Sequence, residues 1–348
     1  MKPTRTLVLR SVMYAVTAGL VSACWLQPAL AGEATDGAID PEAVARDNWR
    51  DFMAHNPESA EGCFQATYPN YLWEQTECKV AQPRFHPVHR KLTTGAAEVT
   101  GNGNDFVAQA AGLITKTLGT FPSVTGVTSE TGEGVAAFGG GGILGPNEYT
   151  LQINTNFTGT TSVCARHSGC TVWQQFIYSP DYNVQGQAAV FMQYWLIGWG
   201  SSRCPSGWGS DGGGDCFRNS AFVAAPDLPI TSLAKMTLSG AAVAGGNDTV
   251  VFTNGTTAYS LSAKDSVVDI SAVWKQSEFN IVGNAGGSEA VFNSGSKVTV
   301  KLALTDGSTS APTCVANDGS TGETNNLNLG TCTTASGTTP SIQFTESN

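Results

Sequence analysis

Apolar and polar residues alternate with period two along much of this chain, and that pattern limits what it can fold into. Val298, Val300, Leu302 and Leu304 alternate with Thr299, Lys301 and Ala303, as in a strand with one face in a core and the other in water. The 149–157 stretch alternates likewise, 170–178 is aromatic and apolar, and 188–199 is strongly β-prone. Stretches 230–238, 249–253, 258–261 and 267–274 also read as strands. Helical spacing is confined to 41–55, where Asp40 is a cap ahead of Pro41. The 106–118 run fits either helix or strand. Short strands, 40 glycines for the turns and no βαβ rhythm predict an all-β chain folded as an antiparallel β-sandwich.

The ends carry different signals. Residues 1–31 have a positive start (Lys2, Arg5, Arg10), an apolar stretch and Ala29-Leu30-Ala31, the pattern of a secretory signal peptide cleaved after Ala31. Val21-Ser22-Ala23-Cys24 also matches a lipobox, the alternative in which Cys24 carries a lipid. No later stretch has the roughly 18 apolar residues of a transmembrane helix. Export is consistent with the eight cysteines beyond Cys24, an even number that implies disulfides. The expected pairs join neighbours: Cys63–Cys78, Cys164–Cys170, Cys204–Cys216 and Cys314–Cys332. The expected organisation is a Cys-stapled segment or pro-region at 32–95, a sandwich at 96–310 and a Thr/Ser/Gly-rich tail at 311–348.

Charge and motifs remove several functions. A net charge of −10 argues against nucleic acid or an anionic membrane as partner. No C-x-x-C occurs, and Pro87 interrupts His86-x-x-His89, so no metal is expected. Gly140 to Gly145 spells G-x-G-x-x-G but lacks a buried strand before it and a helix after it, so no nucleotide cofactor is expected either. A serine hydrolase has no G-x-S-x-G here. A glycosidase needs two facing carboxylates, and Glu278 with Glu289 is the only obvious late-strand pair.

The unusual stretch is 274–283. Alternation puts Trp274, Gln276, Glu278 and Asn280 on one face, with Phe279 and Ile281 on the other. A second strand aligns Ala189, Phe191, Gln193, Trp195, Ile197 and Trp199, so an amide sits among aromatics, where it must be hydrogen-bonded. Each is also readable as ordinary structure, Glu278 on the wet face of an edge strand and Gln193 as a satisfied core amide.

The order of parts resembles the eqolisin family of glutamic peptidases. The residues that carry the likeness are Val172-Trp173, Met192-Gln193, Ile230-Thr231 through Gly246-Asn247-Asp248, and Ser277-Glu278-Phe279-Asn280-Ile281-Val282, with Gln193 and Glu278 85 residues apart. The likeness spans 149–304 and implies a concanavalin-like sandwich and acid endopeptidase activity on protein or peptide substrates. Where the family has an Asp after its Trp, this chain has Trp173-Gln174-Gln175-Phe176, and its Tyr-Glu-Trp strand has no clear equivalent. The resemblance implies Glu278 as general base and Gln193 as the amide polarising the scissile carbonyl, with Gln174 and Gln175 as rivals for the amide role. Trp173, Gln174, Gln175, Trp195, Trp199, Gln276 and Asn280 are the expected substrate-binding residues. A carboxylate of ordinary pKa, about 4.3, can act as base in acid. The alternative is a non-catalytic, carbohydrate-binding protein with aromatic side chains as platforms for polysaccharide.

Overall fold

The computed structural model describes residues 40–80, 104–136, 139–182, 185–201, 203–316 and 322–348. The signal-peptide and lipobox expectations and the His86/His89 pair lie outside the described residues.

Two large antiparallel sheets carry most of the described chain. One has ten strands, in the order Glu74–Thr76, Gly62–Thr67, Thr257–Lys264, Asn247–Asn254, Met236–Ala241, Lys116–Thr125, Lys297–Thr305, Ser341–Ser347 and Asn328–Leu329, with Thr333–Ala335 also on Ser341–Ser347. The other has eight: Gly209–Ser210, Cys216–Ala224, Ala189–Ile197, Thr171–Ser179, Tyr149–Thr155, Gln276–Gly283, Phe106–Gln109 and Thr313–Ala316. A smaller four-stranded sheet includes Ser288–Phe292, Glu130–Gly134 and Thr324–Asn325.

The core lies between the large sheets, because the long strands of the eight-stranded sheet each turn an apolar alternate row that way. Phe279 packs against Phe121, Phe176 against Trp274, and Tyr178 lies flat on Phe252, 3.9 Å between ring centres. Burying one such ring stabilises by about 1.5–3 kcal/mol. The sheets meet closely enough that two glycines are required. A Cβ on Gly119 would sit 2.3 Å from the Phe279 ring, and one on Gly240 2.5 Å from Phe176.

Several expectations hold and others need correcting. The helix spans Pro41–His55, and Asp40 accepts a hydrogen bond from the Glu42 N–H. All four neighbour disulfides form. The 106–118 run is strand Phe106–Gln109 followed by the start of Lys116–Thr125. Two stretches expected as strands hold 3-10 turns: 230–238 is a turn at Ile230–Lys235 after Pro229 and then the start of strand Met236–Ala241, and 267–274 contains the end of Asp265–Val267 and all of Ile270–Ala272. In the second case Asp265 accepts from the Ser271 N–H and hydroxyl, local bonds that compete with a ladder. The 62–67 and 341–347 segments, each from an end of the described chain, are strands of the ten-stranded sheet.

Candidate active site

The outer face of the eight-stranded sheet, away from the core, holds one polar row. Register pairs Glu278 with Asn154, Asn154 with Gln175, Gln175 with Gln193, and Gln193 with Asn219. Residues directly opposite in antiparallel strands share a face. One carboxyl and four amides therefore run in line across five strands. Alternation produces this row, since their neighbours Phe279, Ile153, Phe176 and Tyr194 all face the core.

The row is hydrogen-bonded throughout. Asn154 Nδ2 donates to Glu278 Oε2. Gln175 Nε2 donates to Asn154 Oδ1 (2.9 Å) and to Gln152 Oε1 (3.0 Å). Trp195 Nε1 is shared between Gln175 Oε1 (3.0 Å) and Gln193 Oε1 (2.9 Å). Gln193 Nε2 donates to Asn219 Oδ1, and Asn219 Nδ2 to the Tyr182 hydroxyl. Glu278 is fully buried, and Gln175 and Gln193 are each 3 % exposed. Satisfied networks of this kind are held rigidly, because breaking one bond strands a buried polar atom.

Burial pushes Glu278 well above the ordinary carboxyl range, and the neighbouring carboxyl of Asp105 pushes it further. Glu278 Oε1 meets no N–H donor, while Asp105 lies within hydrogen-bonding reach of its carboxyl. A proton held by one of the two makes that bond, as in any pair of carboxyls too close for both to ionise. The expectation of an ordinary Glu278 pKa is therefore corrected. Glu346 adds a smaller repulsion and is itself raised, by burial first and then Asp105.

The other expected site residues divide between the row and places outside it. Trp173 and Trp195 lie one row away, directly opposite each other and stacked at 5.8 Å, within a cluster with Phe157, Ile197 and Phe217. Trp173 Nε1 is a buried donor with no acceptor. Asn280 is on the site face, where its Nδ2 donates to the Asn104 carbonyl. Gln276 pairs with Gln109 through their amides at 2.8 Å. Gln174 points the other way, into the core, and so is not in the row; it lies against Asp248 and Met192. Trp274 is also in the core, on Phe176, because the strand begins only at Gln276. Trp199 falls beyond the strand end, where Gly198 turns the chain with φ +68°. It stacks on His167 at 3.3 Å.

Beside the row is a small cavity of about 20 Å³, lined by Gln152, Gln175, Gln193, Tyr182, Asn284 and Glu323 among others, room for about one water. Glu278 does not line it. Sequence reasoning missed Asp105, Gln152, Asn154 and Glu323. The two amides were findable, since Thr150, Gln152 and Asn154 alternate with Leu151 and Ile153. Glu323 lies in a polar tail with no periodicity. Among the described residues no group of three or more His, Cys, Asp or Glu is arranged to hold a metal ion.

No family model matches the chain, and no curated protein matches it. Solved structures similar to it include two peptidases. A crystal structure of scytalido-glutamic peptidase with a transition state analog inhibitor matches at 12% identity, over 69% of this chain and 97% of that one, with a TM-score of 0.30. A structure of SCP-B, a member of the eqolisin family of peptidases, in complex with the tripeptide Ala-Ile-His, matches at 12% identity. It covers 70% of this chain and 96% of that one, with a TM-score of 0.26. Eqolisin is also the family that the motif order resembles.

Proposed function

We propose that this chain is an exported endopeptidase working in acid, with the Asp105–Glu278 carboxyl pair as its base and the Gln175 and Gln193 amides as its oxyanion donors. The observation that carries the reading is the in-register row of Glu278, Asn154, Gln175 and Gln193 on one sheet face. Successive strands are about 4.8 Å apart, so Gln175 is roughly 10 Å from Glu278 along the row and Gln193 roughly 14 Å. Gln175 is therefore the nearer amide and takes the larger share of the donor role, with one of the two N–H bonds it now gives to Asn154 and Gln152 passing to the oxyanion.

Two carboxyls sharing a proton titrate as a unit and leave one base per pair over a wide acid range. The singly ionised pair removes a proton from water as the water oxygen attacks the scissile carbonyl. The hydrogen bond that Asn154 now gives Glu278 is the one that water replaces. Negative charge on the carbonyl oxygen is met by amide N–H groups, which donate at any pH.

The carbohydrate-binding alternative fits less well. A sugar platform needs an open ring face, and Trp173 and Trp195 are both buried against each other. The test is hydrolysis of casein and of a quenched peptide from roughly pH 2 to 8, the span over which carboxyl pairs titrate. Cleavage should peak in acid and resist pepstatin-type inhibitors and chelators. N-terminal sequencing of the exported chain should begin at Gly32. A purified, folded chain that cuts no peptide at any pH overturns the reading.

A further inference from the structure

The cavity beside the amide row has a carboxyl of its own that the proposed mechanism does not use. Glu323 lies in the 322–325 segment, outside the eight-stranded sheet. It is fixed on both sides: the Gly322 carbonyl accepts from the Gly287 N–H (2.8 Å), and Thr324–Asn325 pairs in parallel with the Ser288–Phe292 strand. Asn325 continues the anchor by donating to the Ile281 carbonyl and to Glu346 Oε2. Glu323 is 6% exposed, and its Oε2 accepts from Gln152 Nε2 at 2.9 Å. The Oε1 of Gln152 in turn accepts from Gln175 and Asn154. The cavity thus has amides on the sheet side and a carboxyl brought in from another layer.

We infer that Glu323 is the general acid of the reaction, the group that protonates the leaving amine. The inference rests on the peptidase reading above. As the tetrahedral intermediate collapses, the C–N bond breaks, the Glu323 proton goes to the departing nitrogen, and the amine leaves neutral. The Asp105–Glu278 pair keeps the proton taken from water, Glu323 is left as carboxylate, and exchange with solvent restores both. Burial raises Glu323 to about 7, against a smaller opposing effect of the Gln152 bond. It therefore still carries a proton where an exposed Glu has lost it. Tyr182 is the other titratable side chain on the cavity wall. Glu148 is reached through Asn284, and Glu278 through Gln152 and Asn154.

The test compares a peptide with the ester of the same sequence, whose alkoxide leaves with little need of a proton. Glu323→Gln keeps the shape and can still accept from Gln152, but it has no proton to give. With the peptide, kcat should fall about 100-fold to 10,000-fold, the usual loss of a general acid. The ester should lose less than about tenfold, and the fall in the wild-type peptide rate near neutral pH should vanish. Glu323→Asp, which retains a carboxyl, should preserve the peptide-to-ester ratio, and it serves as the readout if the Gln variant does not fold. Equal loss on both substrates, no loss on either, or a changed ratio in Glu323→Asp overturns the assignment and leaves the peptidase reading intact. A wild type that cleaves neither substrate overturns both.

Discussion

Gln174 and Gln175 are chain neighbours on one strand, both buried, yet they serve opposite faces of the same sheet. Gln174 faces the core, where it lies against Asp248, a carboxyl pushed well above its ordinary range by burial and then by Asp265. Gln175 faces outward and reaches Glu278, likewise raised, through Asn154. Each face therefore has a buried amide near a buried acid. What separates them is company: Gln175 belongs to a row five residues long and opens on a cavity, whereas Gln174 contacts Met192 and the facing sheet. A buried carboxyl beside an amide is thus not enough to mark a site.

The sharpest way to break this comparison is to neutralise each acid in turn. Glu278→Gln should lower kcat on a peptide by about a thousandfold or more, with the melting temperature unchanged or raised, because a neutral amide relieves the repulsion between two buried carboxyls that must share one proton. Asp248→Asn should leave kcat within a few-fold of wild type. If both variants lose activity equally, the outer face is not special and the carboxyl pair is structural.

Next in size are the two amides. Gln175→Ala should reduce kcat about 100-fold to 1,000-fold with little change in KM, the pattern of a lost oxyanion donor. Gln193→Ala, one strand further from Glu278, should cost less. Gln174→Ala should leave kcat nearly intact and lower the melting temperature, since it opens a cavity beside Met192 and strands Asp248. Steady-state kinetics and thermal melts on the same preparations separate these outcomes. Equal kinetic losses for Gln174→Ala and Gln175→Ala would show that the row has no catalytic meaning.

This contrast also bears on how much of the site is legible in the sequence. Period two fixes which residues of one strand share a face, so Gln193 with Trp195, and Glu278 with Asn280, are readable from their spacing alone. Strand order is not readable that way. Tyr149–Thr155 lies between Gln276–Gly283 and Thr171–Ser179, and this places Asn154 beside Glu278 and makes Gln175 the nearer glutamine. Alternation also fails wherever a strand stops: Trp274 precedes Gln276 and turns into the core, and Trp199 follows Gly198 and leaves the face. Glu323 gives no signal because its position depends on the hydrogen bond from Gly287 to Gly322 and a short parallel pairing. The four disulfides and the helix are legible, being local in sequence.

The smallest effect concerns stability, and it unites the two faces that the kinetic variants separate. Glu130, Asp248, Glu278, Glu323 and Glu346 are all buried, and none forms an ion pair with a described cation. Burial is the leading cause of a raised pKa at each, with Glu130 at about 8 and Glu323 at about 7. A carboxyl whose folded pKa exceeds its unfolded one binds its proton more tightly in the native state. Its stability contribution is then complete below the unfolded value, about 4.3, and is lost as pH rises through the folded value. The melting temperature should accordingly be highest in acid and fall between about pH 5 and 8, opposite to a protein stabilised by ionised, salt-bridged carboxylates. Glu130 isolates the effect because it lies outside the row, next to Glu148. Glu130→Gln should melt with wild type near pH 4 and several degrees above it near pH 8, with peptide kinetics unchanged at acid pH. A wild-type melting temperature that rises from pH 4 to 8 would mean that these carboxyls are ionised and stabilised in the native state, and the shared proton assigned to Asp105 and Glu278 would lose its basis.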